Sequence, residues 1–429
     1  MKIVSGEMYY YFSGAYEGIQ MQIHLKEKVD GDILKEALKE TLKVHPYLSW
    51  TVEEKNADFY YKETGKNVAL INSEKYPKLG GEDLFGQLAA VVYYEKRIGL
   101  VFYHGLIDGV GARRALETLV YFYFCIKDGK EYPCDGIMTK PASEYPTLNA
   151  EPYSHKYDVD PDIVKAMQDE ANNMPKDVFS LVGQKENVGD TNVIQVIKIP
   201  NYQFMDYSRS HNMSPSIALS LLICKAIQTM HPDNKNKIRV NIPISLRDAL
   251  GISDTFRNTT GDVALFIDPE DLKAENFDKA AIRARQELKN KMNPMRLQNM
   301  ANEAMDFLKM TGEYKTFKDR AALYENLPSP TADTIFISYM GKLQTSEYGD
   351  MIEGCDVASM PRDGFVFNIY DCGGCFNIVL TKKGTDASFA ENFVNVCKEI
   401  NLDAILAYSR EYKLEYVSIR EKLNLIPAI

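Results

Sequence analysis

Cysteine is sparse in this chain of 429 residues: there are seven, an odd number, spread from Cys125 to Cys397. Secreted domains built on disulfides are denser in cysteine and usually even in count, so a reducing compartment is expected. Long hydrophobic runs are missing too. The longest, at 119–126 and 217–224, fall well short of the roughly 20 residues that a bilayer span requires. Residues 1–7 lack the apolar core of a signal peptide. The expectation is a soluble, cytoplasmic protein with no membrane span. Basic residues are outnumbered, 50 Lys and Arg against 60 Asp and Glu, for a formal charge of −10. Nucleic-acid binders are usually basic, so no nucleic-acid partner is expected. Neither GxGxxG nor GxxxxGK(S/T), the glycine-rich loops that cradle phosphates, occurs. His24, His45, His155, His211 and His231 form no HExxH or similar ligand set, and no metal is expected. Tryptophan occurs once, as Trp50.

What is present is ordinary globular material. Apolar residues make up 45% of the chain and charged residues 26%, enough for a core and incompatible with wholesale disorder. The length fits two or three domains, or one large two-lobed unit. Strands are expected at 8–12, 18–25, 49–52, 59–62, 88–94 and 98–103, the last nearly all apolar, as a buried strand is. A helix is expected after Asp30, where Ile33, Leu34, Ala37, Leu38 and Leu42 recur at spacings of three and four. His45-Pro46 ends it. A loop at 104–110 leads into a second helix at 111–125. Residues 128–192 carry many prolines and acidic residues and one helix at 163–171, which reads as a partly ordered connection. Beyond it, strands at 193–199, 237–244, 262–267, 334–339, 364–371 and 375–381 mix with helices at 202–212, 214–230, 276–292, 300–310 and 387–401. Residues 402–429 stay unassigned. Strands mixed with helices in both halves predict α/β sandwiches with mixed sheets, not a doubly wound nucleotide fold. The expected division is an N-terminal lobe at 1–127, a connection at 128–192 and a C-terminal lobe at 193–429.

The chemistry centres on His104-Gly105-Leu106-Ile107-Asp108-Gly109, which leaves an apolar strand and enters a helix. A loop at a strand end presents side chains from a rigid mount, and histidine is the usual proton acceptor near neutral pH. Asp108 can turn back to fix the local geometry, and Gly109 permits a backbone angle that other residues resist. Taken alone, a histidine after an apolar strand is more often packed than catalytic. A second motif, Cys372-Gly373-Gly374-Cys375, has two readings. It is a redox element or half of a zinc site with Cys355 and Cys397, or a hairpin turn in which Gly-Gly joins two apolar strands. Turn chemistry favours the hairpin.

The first motif resembles the HHxxxDG signature of the chloramphenicol acetyltransferase-like superfamily, which includes non-ribosomal peptide condensation domains and alcohol O-acetyltransferases. Tyr103 stands at the first His position, His104 at the second, and Asp108 and Gly109 at the Asp and Gly. Other segments resemble the family in the same order. They are the helix from Val29 to His45-Pro46-Tyr47-Leu48, the helix at 213–230, and Asn241-Ile242-Pro243-Ile244-Ser245-Leu246-Arg247 as a strand ending in Pro-x-x-x-Arg. Arg257-Asn258-Thr259-Thr260-Gly261 and Ile337-Ser338-Tyr339-Met340-Gly341 follow. The Asp-Phe-Gly-Trp-Gly motif of the plant branch is absent, and the bacterial alcohol-acetyltransferase-like branch fits best. The resemblance implies two α/β sandwich lobes with a tunnel between them and His104 at its middle. It implies an acyltransferase with an acyl-coenzyme A or acyl carrier protein donor, a small-molecule alcohol or amine acceptor, and no permanently bound cofactor. His104 would be the general base and Asp108 its structural support, paired with Arg247. Tyr103, Asn258 and Ser338 would be candidates for substrate or oxyanion contact. Two alternatives stand beside this: a non-catalytic binding or scaffold protein on the same fold, and a stand-alone condensation domain acting in trans. Oligomeric state stays open between monomer and trimer, with a monomer as the working expectation.

Overall fold

Short apolar runs separated by polar turns build the first half of the chain as a layered sheet and helix pair. The computed structural model describes residues 1–11, 18–326 and 333–422. The first half runs β1 (Lys2–Ile3), α1 (Met8–Tyr11), β2 (Gly18–Leu25), α2 (Gly31–Val44), β3 (Trp50–Lys55), β4 (Asp58–Glu63), β5 (Ala69–Asn72), β6 (Ala89–Tyr94), β7 (Arg97–Tyr103) and α3 (Gly109–Asp128). Then follow α4 (Pro161–Asn172), β8 (Asn192–Pro200), α5 (Asn201–Ser210), α6 (Pro215–Met230), β9 (Ile238–Ser245), β10 (Thr260–Ile267), α7 (Ala274–Lys291), α8 (Pro294–Thr311) and α9 (Phe317–Glu325). The chain closes with β11 (Ile335–Lys342), β12 (Ile352–Ala358), β13 (Phe365–Cys372), β14 (Cys375–Lys383), α10 (Ser388–Glu399), β15 (Ile405–Tyr412) and α11 (Ile419–Lys422).

Five strands in the order β12-β2-β7-β6-β5 form one mixed sheet, parallel only between β5 and β6. Seven strands in the order β10-β9-β11-β13-β14-β8-β15 form the second, in which β11 runs parallel to both of its neighbours. β1, β4 and β3 make a small antiparallel sheet. Helices α2 and α3 pack beside the first sheet, and α6, α7 and α10 cover the second. α6 is apolar on nearly every face because it lies inside the second core. Among the described residues no single helix is long and apolar enough to cross a membrane.

The strand β12 belongs to the first sheet although its residues come late in the chain. It pairs antiparallel with β2, and Asp356 fastens it. The Asp356 carboxylate accepts hydrogen bonds from Gln22 (2.7 Å) and His24 (2.9 Å) of β2, and from Tyr408 (2.6 Å) of β15 in the other sheet. The first hydrophobic core correspondingly contains Tyr348, Val357 and Leu414 beside its N-terminal members.

Several expectations need correction. Residues 8–11 form a helical turn, not a strand, opened by Tyr9 N–H to the Gly6 carbonyl (3.2 Å) and Tyr10 N–H to that of Glu7 (3.0 Å). Strand preference in tyrosine is largely a preference for packing surfaces. Tyr10 and Tyr11 find theirs against Phe59, with ring centroids 4.9 and 4.8 Å away. Phe12 lies outside the described residues. The loop expected at 104–110 ends sooner, because Asp108 caps α3 and so makes Gly109 and Val110 helical. Ser214 sits at the N-cap of α6 without a side-chain bond to it, while Pro215 occupies the first turn. Residues 128–192 are mostly irregular apart from α4, with Ile137, Met138 and Leu148 buried. The hairpin reading of the Cys-Gly-Gly-Cys motif, by contrast, holds: Cys372 and Cys375 face each other across β13 and β14, with Gly373 and Gly374 at φ 62° and 74°. Among the described residues no group of three or more His, Cys, Asp or Glu is placed to hold a metal ion.

Candidate active site

β7 alternates its side chains across the sheet, so Phe102 and His104 face one way and Tyr103 the other. His104 and Phe102 line a cavity of about 490 Å³ between the two sheets, whereas Tyr103 does not. Tyr103 is fully buried, donates its hydroxyl hydrogen to the Tyr9 carbonyl (2.6 Å) and stacks on Tyr416 at 4.1 Å. The expectation of substrate contact at Tyr103 is therefore corrected by strand alternation.

The loop that carries His104 is held from several sides. The Tyr61 hydroxyl donates to the Gly105 carbonyl (2.8 Å), and the Asn258 amide to the His104 carbonyl (3.3 Å). Tyr9 stacks on the imidazole with centroids 4.7 Å apart. The imidazole Nδ1 lies 3.1 Å from the Ile107 carbonyl oxygen. A carbonyl can only accept, so this contact favours the hydrogen on Nδ1 and the lone pair on Nε2, with the Asn258 amide nitrogen farther from the same Nδ1 at 3.4 Å. Burial among protein atoms lowers the pKa of His104 below its ordinary value, against opposing pulls from Asp108 and the Ile107 carbonyl. The ring is thus neutral near pH 7.

Asp108 and Arg247 are both buried and form a two-pronged ion pair, Nη1 to Oδ2 and Nη2 to Oδ1, each 2.8 Å. The Asp108 carboxylate also accepts from the backbone N–H of Gly111 (3.0 Å), capping α3, and of Thr259 (3.0 Å). Arg247 donates further to the carbonyls of Thr255 (2.9 Å) and Arg257 (2.9 Å) and to the Thr259 hydroxyl (2.7 Å). Burial raises the carboxyl pKa, but the guanidinium and these hydrogen bonds outweigh it and leave it lowered. The pair joins the start of α3 to the segment between β9 and β10, so it ties the His104 loop to the opposite sheet.

Gly109 has helical backbone, and its predicted need for an unusual backbone angle is not met. What it provides is closeness: a Cβ there would stand 2.9 Å from Cε of Met340. Asn258 does not line the cavity. It serves the backbone of the His104 loop and accepts from the Thr260 N–H (3.0 Å). Ser338 does line the cavity, with its hydroxyl 3.4 Å from Sδ of Met340. Tyr9, Tyr61, Met340 and Arg362 complete the surroundings; Met340 lies in the 337–341 segment that resembles the family, and none of the four was singled out for the site by the sequence. Arg362 lies over the Phe336 ring at 4.2 Å on the cavity wall.

No protein-family model and no curated sequence matches the chain. Solved structures do. Polyketide synthase associated protein 5 from Mycobacterium tuberculosis superposes with a TM-score of 0.57 at 14% identity, over 94% of this chain and 97% of that one. TRI101 of F. graminearum, solved with coenzyme A and T-2 mycotoxin, gives 0.59 at 11%, over 96% and 99%. The trichothecene 15-O-acetyltransferase TRI3 from Fusarium sporotrichioides gives 0.60 at 12%, over 92% and 94%. At such identities the likeness is one of fold, and it runs the length of both partners. The chain has the two-lobed α/β sandwich fold of the chloramphenicol acetyltransferase-like proteins, built on mixed sheets with a cavity between them.

Proposed function

We propose that the protein is an acyltransferase that moves an acyl group from a thioester donor, on coenzyme A or a carrier protein, to a hydroxyl or amine. The observation that carries the reading is the placement of His104 on the cavity wall with its Nδ1 at the Ile107 carbonyl. With the hydrogen on Nδ1, Nε2 is the basic atom of a side chain that lines the inter-sheet cavity. In the reaction Nε2 takes the acceptor proton as the oxygen or nitrogen attacks the thioester carbonyl. Base assistance of this kind is worth about 10²–10⁴-fold. The Ser338 hydroxyl, in the same cavity, is the candidate donor to the resulting oxyanion. Collapse expels the thiolate, and the imidazolium returns the proton to sulfur. No covalent enzyme intermediate is needed. Asp108 and Arg247 act by holding the loop. The coenzyme A found with TRI101 and the acetyltransferase name of TRI3 support a thioester donor.

The test is acceptor-dependent release of free thiol from a panel of acyl-coenzyme A esters, with mixed alcohols and amines, by the native protein and His104→Ala. A loss of at least about a hundredfold in the variant supports the mechanism. Release that the substitution leaves unchanged removes His104 as base.

A further inference from the structure

His104 is steered by two contacts that do different things. The Ile107 carbonyl, 3.1 Å from Nδ1, meets the imidazole at its edge and sets how far the ring turns within its own plane. That contact alone leaves the plane free to tilt about the line from Nδ1 to the oxygen. Tyr9 meets the face, with centroids 4.7 Å apart and planes at 26°, and closes off that tilt. Tyr9 does not line the cavity, so its ring reaches a substrate only through the imidazole. Tyr9 is in turn fixed by the residue next to the base. α1 is four residues long, so the Tyr9 carbonyl is among the last four, which a helix leaves without an internal partner. The Tyr103 hydroxyl donates to it at 2.6 Å, from a ring stacked on Tyr416 at 4.1 Å. The turn that carries Tyr9 also sits tightly on the His104 loop. A Cβ on Gly105 would stand 2.6 Å from Cε1 of Tyr103 and 2.9 Å from the Tyr10 ring, and one on Gly6 would stand 3.1 Å from the Gly105 carbonyl oxygen.

We propose that Tyr9 is a positioning residue for the base: its ring holds the plane of the His104 imidazole, and the Tyr103 hydroxyl holds Tyr9. The inference rests on the acyltransferase reading. It gives the tyrosine at 103 a function although its side chain points away from the cavity. Proton transfer needs Nε2 aimed at the acceptor within hydrogen-bond reach, and a ring free to tilt meets that condition only part of the time. The face contact also matters once the proton has moved. The imidazolium then carries positive charge, and an aromatic face within about 6 Å attracts a cation. Tyr9 itself exchanges no proton.

Steady-state thiol release and the imidazole nitrogen NMR spectrum of histidine-labelled full-length protein test this. Tyr9→Leu keeps bulk and loses the ring. It is expected to lower kcat about 2- to 30-fold with KM for donor and acceptor unchanged, and Tyr9→Phe to recover most of the loss. The His104 resonances, identified by their absence in His104→Gln, should form one sharp set in the native protein and be broadened or doubled in Tyr9→Leu. Loss of fold would instead disturb all six histidines. Tyr103→Phe, which keeps the stack on Tyr416, should lower kcat in the native background and add nothing beside Tyr9→Leu. An unchanged kcat in Tyr9→Leu, or a loss that Tyr9→Phe shares in full, overturns the role of the ring. Additive losses overturn the link through Tyr103. The two readings fail separately. Broadening in Tyr9→Leu of a protein whose native form releases no thiol keeps the positioning and removes acyl transfer. Thiol release at full kcat in Tyr9→Leu, with His104 resonances still sharp, keeps transfer and removes the positioning.

Discussion

Arg247 holds Asp108 across 139 residues of chain, with both guanidinium arms on both carboxylate oxygens. Breaking a buried pair of this kind by removing one partner costs about 3–5 kcal/mol, because the other charge is left stranded. Arg247→Ala and Asp108→Asn should each lower the unfolding free energy from urea denaturation by an amount in this range. Arg247→Lys should not rescue, since lysine has no planar fork to span two oxygens and two carbonyls. Thiol release should fall along with the ordering of the His104 loop. Unchanged unfolding and unchanged rate in Asp108→Asn would dismiss the bracing role.

His104 should leave its mark on the pH profile. Burial lowers its pKa, so the acidic limb of kcat/KM is expected below pH 6.5, the ordinary imidazole value. The same shift affects stability with a definite sign. The unfolded chain takes up this proton near pH 6.5 and the folded chain only further down, so His104 removes stability as the pH falls through that window. His104→Gln should flatten both responses. A limb at or above pH 6.5 would contradict the partly desolvated, neutral ring.

Two neighbouring glycines at the start of α3 should behave differently. A Cβ on Gly111 would stand 2.9 Å from the backbone carbonyl of Phe256, which cannot step aside. A Cβ on Gly109 would press on the end of the flexible Met340 side chain. Gly111→Ala is therefore expected to cost about 1–3 kcal/mol. Gly109→Ala should be near neutral, since alanine favours a helix by roughly 0.5–1 kcal/mol and offsets the displaced thioether. Thermal melts of the two variants decide it; equal losses would mean that the backbone contact is not the determinant.

Glu117 is buried inside α3 and accepts the Gln344 N–H at 2.7 Å. Burial raises its pKa to about 7, with Arg113 pulling the other way. Between about pH 4.5 and 7 the unfolded chain loses this proton while the folded chain keeps it, so stability falls as pH rises. The loss is on the order of 3 kcal/mol by pH 8. Glu117→Gln, which keeps an acceptor for Gln344, should remove that slope and raise the melting temperature at pH 8. A slope that survives the substitution must come from other groups, among them Glu7, also raised to about 7 by burial.

How much of this was legible from residues alone depends on how local each determinant is. The α2 helix was readable because Asp30 caps it and its apolar residues keep helical spacing, and the hairpin of Cys372–Cys375 because Gly-Gly tolerates positive φ. β7 followed by a histidine loop was readable from one apolar run. β12 was not. Its sequence, Ile352-Glu353-Gly354-Cys355-Asp356-Val357-Ala358, carries an acidic residue at a wholly buried position. That placement makes sense only once Gln22, His24 and Tyr408 arrive from elsewhere. α9 has little amphipathic signal and follows from Thr316, whose side chain caps it. In the site, the side-chain roles of Tyr103 and Asn258 went astray for related reasons. Strand alternation turns one away from the cavity, and the other is consumed by the backbone of the loop it supports.

The late strand β12 has a consequence for synthesis. The first sheet lacks one edge until Ala358 has left the ribosome, and until then β2 presents an open row of backbone donors and acceptors, with Gln22 and His24 awaiting the carboxylate of Asp356. The nascent chain must carry that vacancy through the making of most of the second lobe. Co-translational folding of the first lobe is thereby postponed, and a fragment ending at the connection would expose a strand edge of the kind that templates aggregation.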